Sequence, residues 1–328
     1  MKININKAIE FLLARGNLPI LYWLKKDILE VPIDREYKNL QKYAARIRLL
    51  EAQMPNGGWC KKINASHPDW EKTYYIVDTL RNAFKLYNYG CNLKDRGITK
   101  IIDFLFSTQS AEGDFRGAYL NEYAPTYHAL TLEILCLYGF HDDNRTQKGF
   151  RWLIKNRQDD GGWVIPYRTI DKNELKKRYN FEAQLKLSPI KPDKKQPSSH
   201  LVTGMALRAL ALSDTWKSKK ETIKAGELLI SRFFKPDKYE DRCEPIFWEE
   251  FTYPFWATDI LSSLDSLAKI GFLPEENEGI QNALEWLLKK QKSQGHWESG
   301  LKKATLEEHL WITLIVLRVL KNFGLLEM

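Results

Sequence analysis

The residues best suited to chemistry stand in one short run, Asp69-Trp70-Glu71-Lys72-Thr73. Two carboxylates alternate ahead of a threonine, with a tryptophan between them. A carboxylic acid kept protonated near neutral pH by burial beside aromatic rings can protonate an alkene. Asp69 and Glu71 are therefore the candidate catalytic acids. Lys72 works against that role, because a nearby ammonium favours the ionised carboxylate. The same two acids would also complement the positive end of a helix dipole. A second set of carboxylates, Glu249, Glu250, Asp259, Glu307 and Glu308, comes with Tyr253, Trp256 and Trp311. Paired carboxylates across a cleft are what glycan hydrolysis needs, and the rings could stack on sugars. Adjacent Glu pairs are equally well explained as solvated surface.

The bulk composition narrows the classes. The chain has 328 residues, 44% of them hydrophobic and 28% charged, which is a globular balance. Eleven Trp and fifteen Tyr can fill a core or line a pocket for an apolar or ring-shaped ligand. The net charge of +8 gathers in lysine clusters such as Lys217 to Lys220 and Lys289-Lys290. These read as solvated outer faces, with attraction to an anionic membrane surface or a diphosphate as the second reading. No nucleic-acid motif accompanies the basic residues, so no nucleic-acid partner is expected. Cys60, Cys91, Cys136 and Cys243 are scattered without a C-x-x-C pair, which suits a reducing interior. The N-terminus does not read as a signal peptide, and Leu310 to Leu320 is too short to span a bilayer. A cytoplasmic protein is expected, with peripheral membrane contact left open.

The elements that must position these residues repeat along the chain. Four segments share an apolar helical run, a Gln, a few polar residues, a Gly and an aromatic, ending at Trp59, Phe115, Trp163 and Trp297. AGELLISRFF and the N-terminal AIEFLLARG are worn copies. Each copy leads through a loop into a second, more apolar helix with apolar residues at helical spacing. These second helices are expected to start near Thr73, Thr126, His200, Pro254 and Thr305, and LPILYWLKKDIL completes the N-terminal pair. Most end at a glycine suited to a left-handed cap: Gly90, Gly139, Gly271 and Gly324.

Six such pairs predict an all-α toroid, an (α/α)6 ring of helix hairpins with an apolar inner and a charged outer wall. One domain over residues 1–328 is expected, with a charged, lid-like insertion at 164–199. The long outer-to-inner loops would all cover the N-terminal ends of the inner helices, the expected mouth of a central pocket.

The Gln-x-x-x-Gly-x-Trp signature resembles the repeat of squalene and oxidosqualene cyclases, shared in weaker form by protein prenyltransferase β-subunits. That resemblance implies an α/α toroid in which Gln and Trp are scaffold, and an apolar or prenyl small-molecule substrate. Class II cyclases of this superfamily carry an Asp-x-Asp-Asp-Thr acid motif. At the comparable Thr203 the chain reads Ser199-His200-Leu201-Val202-Thr203, so its nearest echo is Asp69 to Thr73. Prenyltransferases hold zinc through Asp-x-Cys and a later His. The matching positions here are Glu250, Thr252 and His309, and the thiolate is missing. Asp241-Arg242-Cys243 offers an Asp-x-Cys about ten residues too early, so neither a metal nor another cofactor is expected.

The resemblance and the loop geometry together place Trp70, Tyr74, Tyr127, His128, His200, Glu250, Tyr253, Trp256, His309 and Trp311 in the substrate pocket. The leading expectation is a terpenoid cyclase-like or prenyltransferase-like protein. The alternatives are a non-catalytic binding toroid and a glycan-active toroid enzyme. Residues 164–199 are rich in charge and proline and have little to bury. Limited trypsin digestion should therefore nick this stretch first and leave two associated helical fragments. First cuts elsewhere would remove the lid.

Overall fold

Local caps start the helices. Asn17 accepts from the Ile20 amide ahead of a helix with proline in its first turn. Asp259 with Ser262, and Thr305 with Glu308, form reciprocal capping boxes. A computed structural model describes residues 4–60, 68–177, 187–240 and 243–326, without the side chains of residues 68–74 and of Lys172. Among the described residues there is no β-strand, only three isolated bridges.

Six helices form an inner ring: α2 (Leu18–Trp23, continued by a π-turn over Leu24–Ile28), α5 (Pro68–Asn88), α7 (Pro125–Leu137), α10 (His200–Ala211), α13 (Ile260–Ile270) and α15 (Leu306–Asn322). From α5 onward each packs on the next, and α15 returns to α2. The circle closes where the Trp23 indole donates to the Asn88 carbonyl at 2.7 Å and stacks near Tyr87. The outer helices are α1 (Ile5–Arg15), α4 (Ala44–Glu51), α6 (Arg96–Ser107), α8 (Asn144–Lys155), α12 (Lys220–Ile230) and α14 (Glu278–Lys289). Helices α6, α8, α12 and α14 each pack on the inner helix that precedes them, and α1 packs on α15. Short helices α3 (Asp34–Gln41), α9 (Lys172–Lys177) and α11 (Asp214–Lys217) lie in the connections. The (α/α)6 toroid expected from the repeats is thus the observed fold. Nearly every residue of α10 is buried, whereas α8 buries only a stripe from Thr146 to Leu153.

The repeat turn explains why the ring holds. In each Trp copy the indole N–H donates to its own outer helix, at the carbonyls of Leu49, Leu153 and Leu287. The Trp backbone amide donates to a threonine Oγ1 on the following inner helix, Thr79, Thr203 or Thr313. The Gln amide donates across to a neighbour. Gln53 reaches Gly97, Gln109 reaches Arg145, and Gln291 reaches Asn4 at the start of α1. Gln158 instead holds the carbonyls of Asp193 and Gln196 in the insertion. Gly57, at φ +91°, lets the turn sit directly on the first turn of α6.

One boundary differs from the sequence reading. The fifth inner helix begins at Ile260 rather than near Pro254, because Asp259 caps it. Residues 34–51 form the two short helices α3 and α4. Of the 164–199 insertion, residues 187–199 are tied down. The Ile190 amide donates to Glu122 at 2.8 Å, and Ser199 bridges to Trp163. Residues 178–186 lie outside the described residues.

Glycine substitutions test this account. A Cβ at Gly57 would meet the Lys100 carbonyl oxygen at 2.1 Å, whereas Gly139, at φ +87°, faces open space. Gly139→Ala should cost only the left-handed strain of about 1–2 kcal/mol. Gly57→Ala adds an overpacking cost of about 1–3 kcal/mol. Urea unfolding should rank the two in that order, and equal costs would contradict the close approach.

Candidate functional site

The structure separates the residues singled out in the sequence into three groups. The first lies outside what is described. The side chains of Asp69, Trp70, Glu71 and Tyr74 are not among the described residues, although their backbone forms the start of α5.

The second group is scaffold. His128 Nδ1 accepts from the Phe115 amide at 3.1 Å, and Nε2 lies 3.0 Å from the Gly149 carbonyl. In the Phe copy it therefore does what threonine does in the Trp copies. Burial pushes its imidazole down to about 4, with Asp114 and the Gly149 bond pulling the other way. His200 is buried against the Trp248 ring, with Nδ1 3.6 Å from Asp237. His309 Nδ1 accepts from the Ser299 amide at 3.2 Å. Glu250 is half-buried at the head of the following segment. Asp241 lies outside the described residues, and no group of three metal-ligating side chains stands together among those described.

The third group meets inside the ring. Residues 253–257 run through its interior. Tyr253 packs on Trp311 of α15 and bonds through its hydroxyl to Asn88 of α5. Trp256 packs near Tyr127 of α7 and under the Arg81 guanidinium of α5. Arg208 of α10 holds the segment by donating to the carbonyls of Phe255 and Ala257. Four inner helices thus grip one stretch of chain. Tyr127 meets Trp256, and Tyr253 meets Trp311, along this segment.

Beside this segment is a cavity of about 500 Å³. Its lining comes from the C-terminal parts of the inner helices, not from their N-terminal ends. Trp23, Phe84, Tyr87, Tyr253 and Phe255 supply aromatic walls. Charged side chains share the space, each acid facing a base. Asp27 pairs with Arg318 at 2.6 Å, Glu30 with Lys321 at 2.6 Å, Asp265 with Lys269 at 2.5 Å, and Glu133 with Arg208 at 3.1 Å. Burial raises the Glu133 carboxyl above its ordinary range, and Arg208 draws it back only in part. Burial likewise pushes the Tyr87 hydroxyl up to about 12. Arg318 also donates to the Tyr253 hydroxyl and lies over the Trp23 ring. The sequence reading missed Glu133, Arg208, Asp265 and Arg318. The available signal was a lone charge inside an otherwise apolar inner helix, as in LTLEILCL and IVLRVL.

No family model matches the sequence, and no curated protein is similar to it. Solved structures that are similar include the apo type II terpene cyclase MstE from Scytonema, at 12% identity and TM-score 0.33, over 88% of this chain and 99% of that one. A variant of the same cyclase holding geranylgeranyl dihydroxybenzoate gives the same identity, coverage and TM-score. A glycosidase variant is similar at 11% identity and TM-score 0.41, over 94% of this chain and 87% of that one. Such values carry no argument about chemistry. The class rests on the helix contacts: an all-helical toroid of six hairpins. No described helix is long and apolar enough to cross a membrane.

His128 makes stability depend on pH. The unfolded imidazole titrates near 6.5 and the folded one at about 4. Between those values the unfolded chain binds more protons, so stability falls as pH falls. The full loss, reached below pH 4, is about 3 kcal/mol. Melting curves from pH 7 to 4 should show a shallower decline for His128→Gln than for the parent chain. Parallel declines would place the titration elsewhere.

Proposed function

We propose that the protein is a terpenoid cyclase-like toroid that binds a prenyl small molecule with a polar head in the central cavity. The carrying observation is that five aromatic side chains and a buried carboxylic acid line one cavity of about 500 Å³. That volume lies within the ordinary range for small-molecule sites, roughly 300–1,000 Å³. The rings would take the apolar chain, and their faces would favour a developing carbocation. The charged rim around Arg318 and Lys321 would take the head. If the protein is an enzyme, Glu133 is the better acid for chemistry at this place. Asp69 and Glu71 belong to the opposite end of α5, with Glu71 roughly 24 Å along the helix from Tyr87. They would serve only a reaction at the N-terminal face. The cavity needs no metal or cofactor for proton-initiated chemistry.

A glycan-active reading has its own support. Glu133 and Asp265 line the same cavity, and Asp265 is among the groups that raise Glu133. Two carboxyls facing one cavity are the usual equipment for glycoside hydrolysis. The ion pairs also suit a non-catalytic binder, since every carboxylate of the cavity already has its cation.

Incubation with squalene, with linear prenyl diphosphates and with neutral oligosaccharides distinguishes these readings. Cyclic hydrocarbon products, reduced on the order of 100-fold by Glu133→Gln, are expected. Products that persist in Glu133→Gln and disappear in Asp69→Asn with Glu71→Gln would move the chemistry to the other face. Hydrolysed sugars would establish the second reading. Saturable prenyl binding without any product would make the protein a carrier.

A further inference from the structure

A second concave site, about 500 Å³ in volume, lies on the outside of the ring between α8 and residues 191–194. Lys148, Arg151 and Lys155 stand three and four residues apart on α8, which places them on one face. Lys191 and Lys194 approach from the other wall, and Tyr123 and Trp152 lie between. The one carboxylate on the rim is Glu112. It is already engaged, accepting from the Tyr123 hydroxyl at 2.6 Å and from Arg116 at 2.8 Å. The Tyr123 bond, followed by Arg116, holds Glu112 below its ordinary range.

Glu112 feels the charge of Lys191, but no carboxylate among the described residues makes an ion pair with Lys148, Arg151 or Lys155. The central cavity is the opposite case, with each acid matched to a base. Lys194 has a structural task, since its Nζ donates to the Lys155 carbonyl at 2.9 Å and pins the strap to the end of α8. Lys148, Arg151 and Lys155 then remain without a carboxylate partner around one concavity. The walls are fixed in place. Gln158 holds the Asp193 and Gln196 carbonyls, and the buried Ile190 amide is held by Glu122. Like charges brought together on a fixed frame repel unless an anion lies between them.

We propose that this groove binds a phosphorylated small molecule of the diphosphate class. Three cations without a carboxylate partner, with Lys191 and Lys194 beside them, call for more than one negative charge, and Arg151 offers the planar fork that matches phosphate oxygens. The space exceeds what a lone phosphate fills, and Tyr123, Trp152 and Pro192 can flank an organic portion. The proposal is independent of the chemistry of the central cavity.

Titration calorimetry of the full chain with inorganic diphosphate tests it, at low and at raised salt. Saturable one-to-one binding that weakens with salt is expected. Lys148→Ala with Arg151→Ala should weaken it at least about tenfold, from the loss of charge-assisted hydrogen bonds. Lys219→Ala with Lys220→Ala removes the same charge elsewhere and should leave binding unchanged. If the first pair disturbs the helical spectrum, Arg151→Glu with Lys191→Glu, both at exposed positions, reports in its place. Equal loss in the Lys219 and Lys220 pair would reduce the effect to net charge and overturn the proposal. So would absence of saturable binding to free diphosphate, whether or not the protein sediments with phosphatidic acid vesicles. Vesicle binding alone would assign the groove to a membrane surface.

Discussion

One hydrogen-bonded turn, repeated around the circle, decides this structure. Its indole fastens the turn to the helix just completed. Its backbone amide reaches a threonine on the helix about to begin, and in the copies of Gln53 and Gln291 its glutamine crosses to the next hairpin. A single turn therefore fixes three helices. An inner helix as apolar as α10 cannot stand alone in water, and only neighbours on both sides can cover it. The Gln291 amide, donating to the Asn4 carbonyl, supplies the last neighbour by joining the sixth hairpin to the first. The packing of α15 on α1 and α2 covers the two faces that an open solenoid would leave bare.

Closure creates an interior that must be filled. The protein fills it with its own chain, residues 253–257, which Arg208 of α10 and Asn88 of α5 both hold. Arg208 is itself a buried charge, and a buried charge is tolerated only when paired. Glu133 pairs with it, and the same logic extends to Asp27 with Arg318 and Asp265 with Lys269. The central cavity thus takes its polar character from what is needed to hold the plug. Its acid is raised by the same burial that makes the pairing necessary.

Much of the architecture was legible in the sequence because the repeat writes its contacts locally. The spacing from Gln to Gly to Trp marks each outer helix, and the apolar run after it marks each inner one. What resisted reading was set by loops of unequal length. Trp59 meets Thr79, Trp163 meets Thr203 and Trp297 meets Thr313, so no fixed spacing points from turn to hinge. His128 fills that place for Phe115, and an exchange of threonine for histidine looks like chemistry rather than scaffold. The cavity was hidden for a related reason. Glu133, Arg208 and Arg318 lie on different helices and meet only once the ring has closed. Each was visible as an isolated charge in an apolar helix, but its partner was not.

The bond between Gln291 and Asn4 has a consequence for the way such a chain can be written. Because α1 sits on α15 as other outer helices sit on the inner ones before them, the numbering has no privileged origin in space. The first hairpin is simply the neighbour of the sixth. A circularly permuted gene, joined between residues 326 and 4 and opened in the short connection at 140–143, would encode the same set of packed surfaces in a different order. The turn after Leu137 is short, and the bond from Gln109 to the Arg145 carbonyl would still hold the two sides of the cut together. The circle, not the linear order of its parts, is the unit that folds.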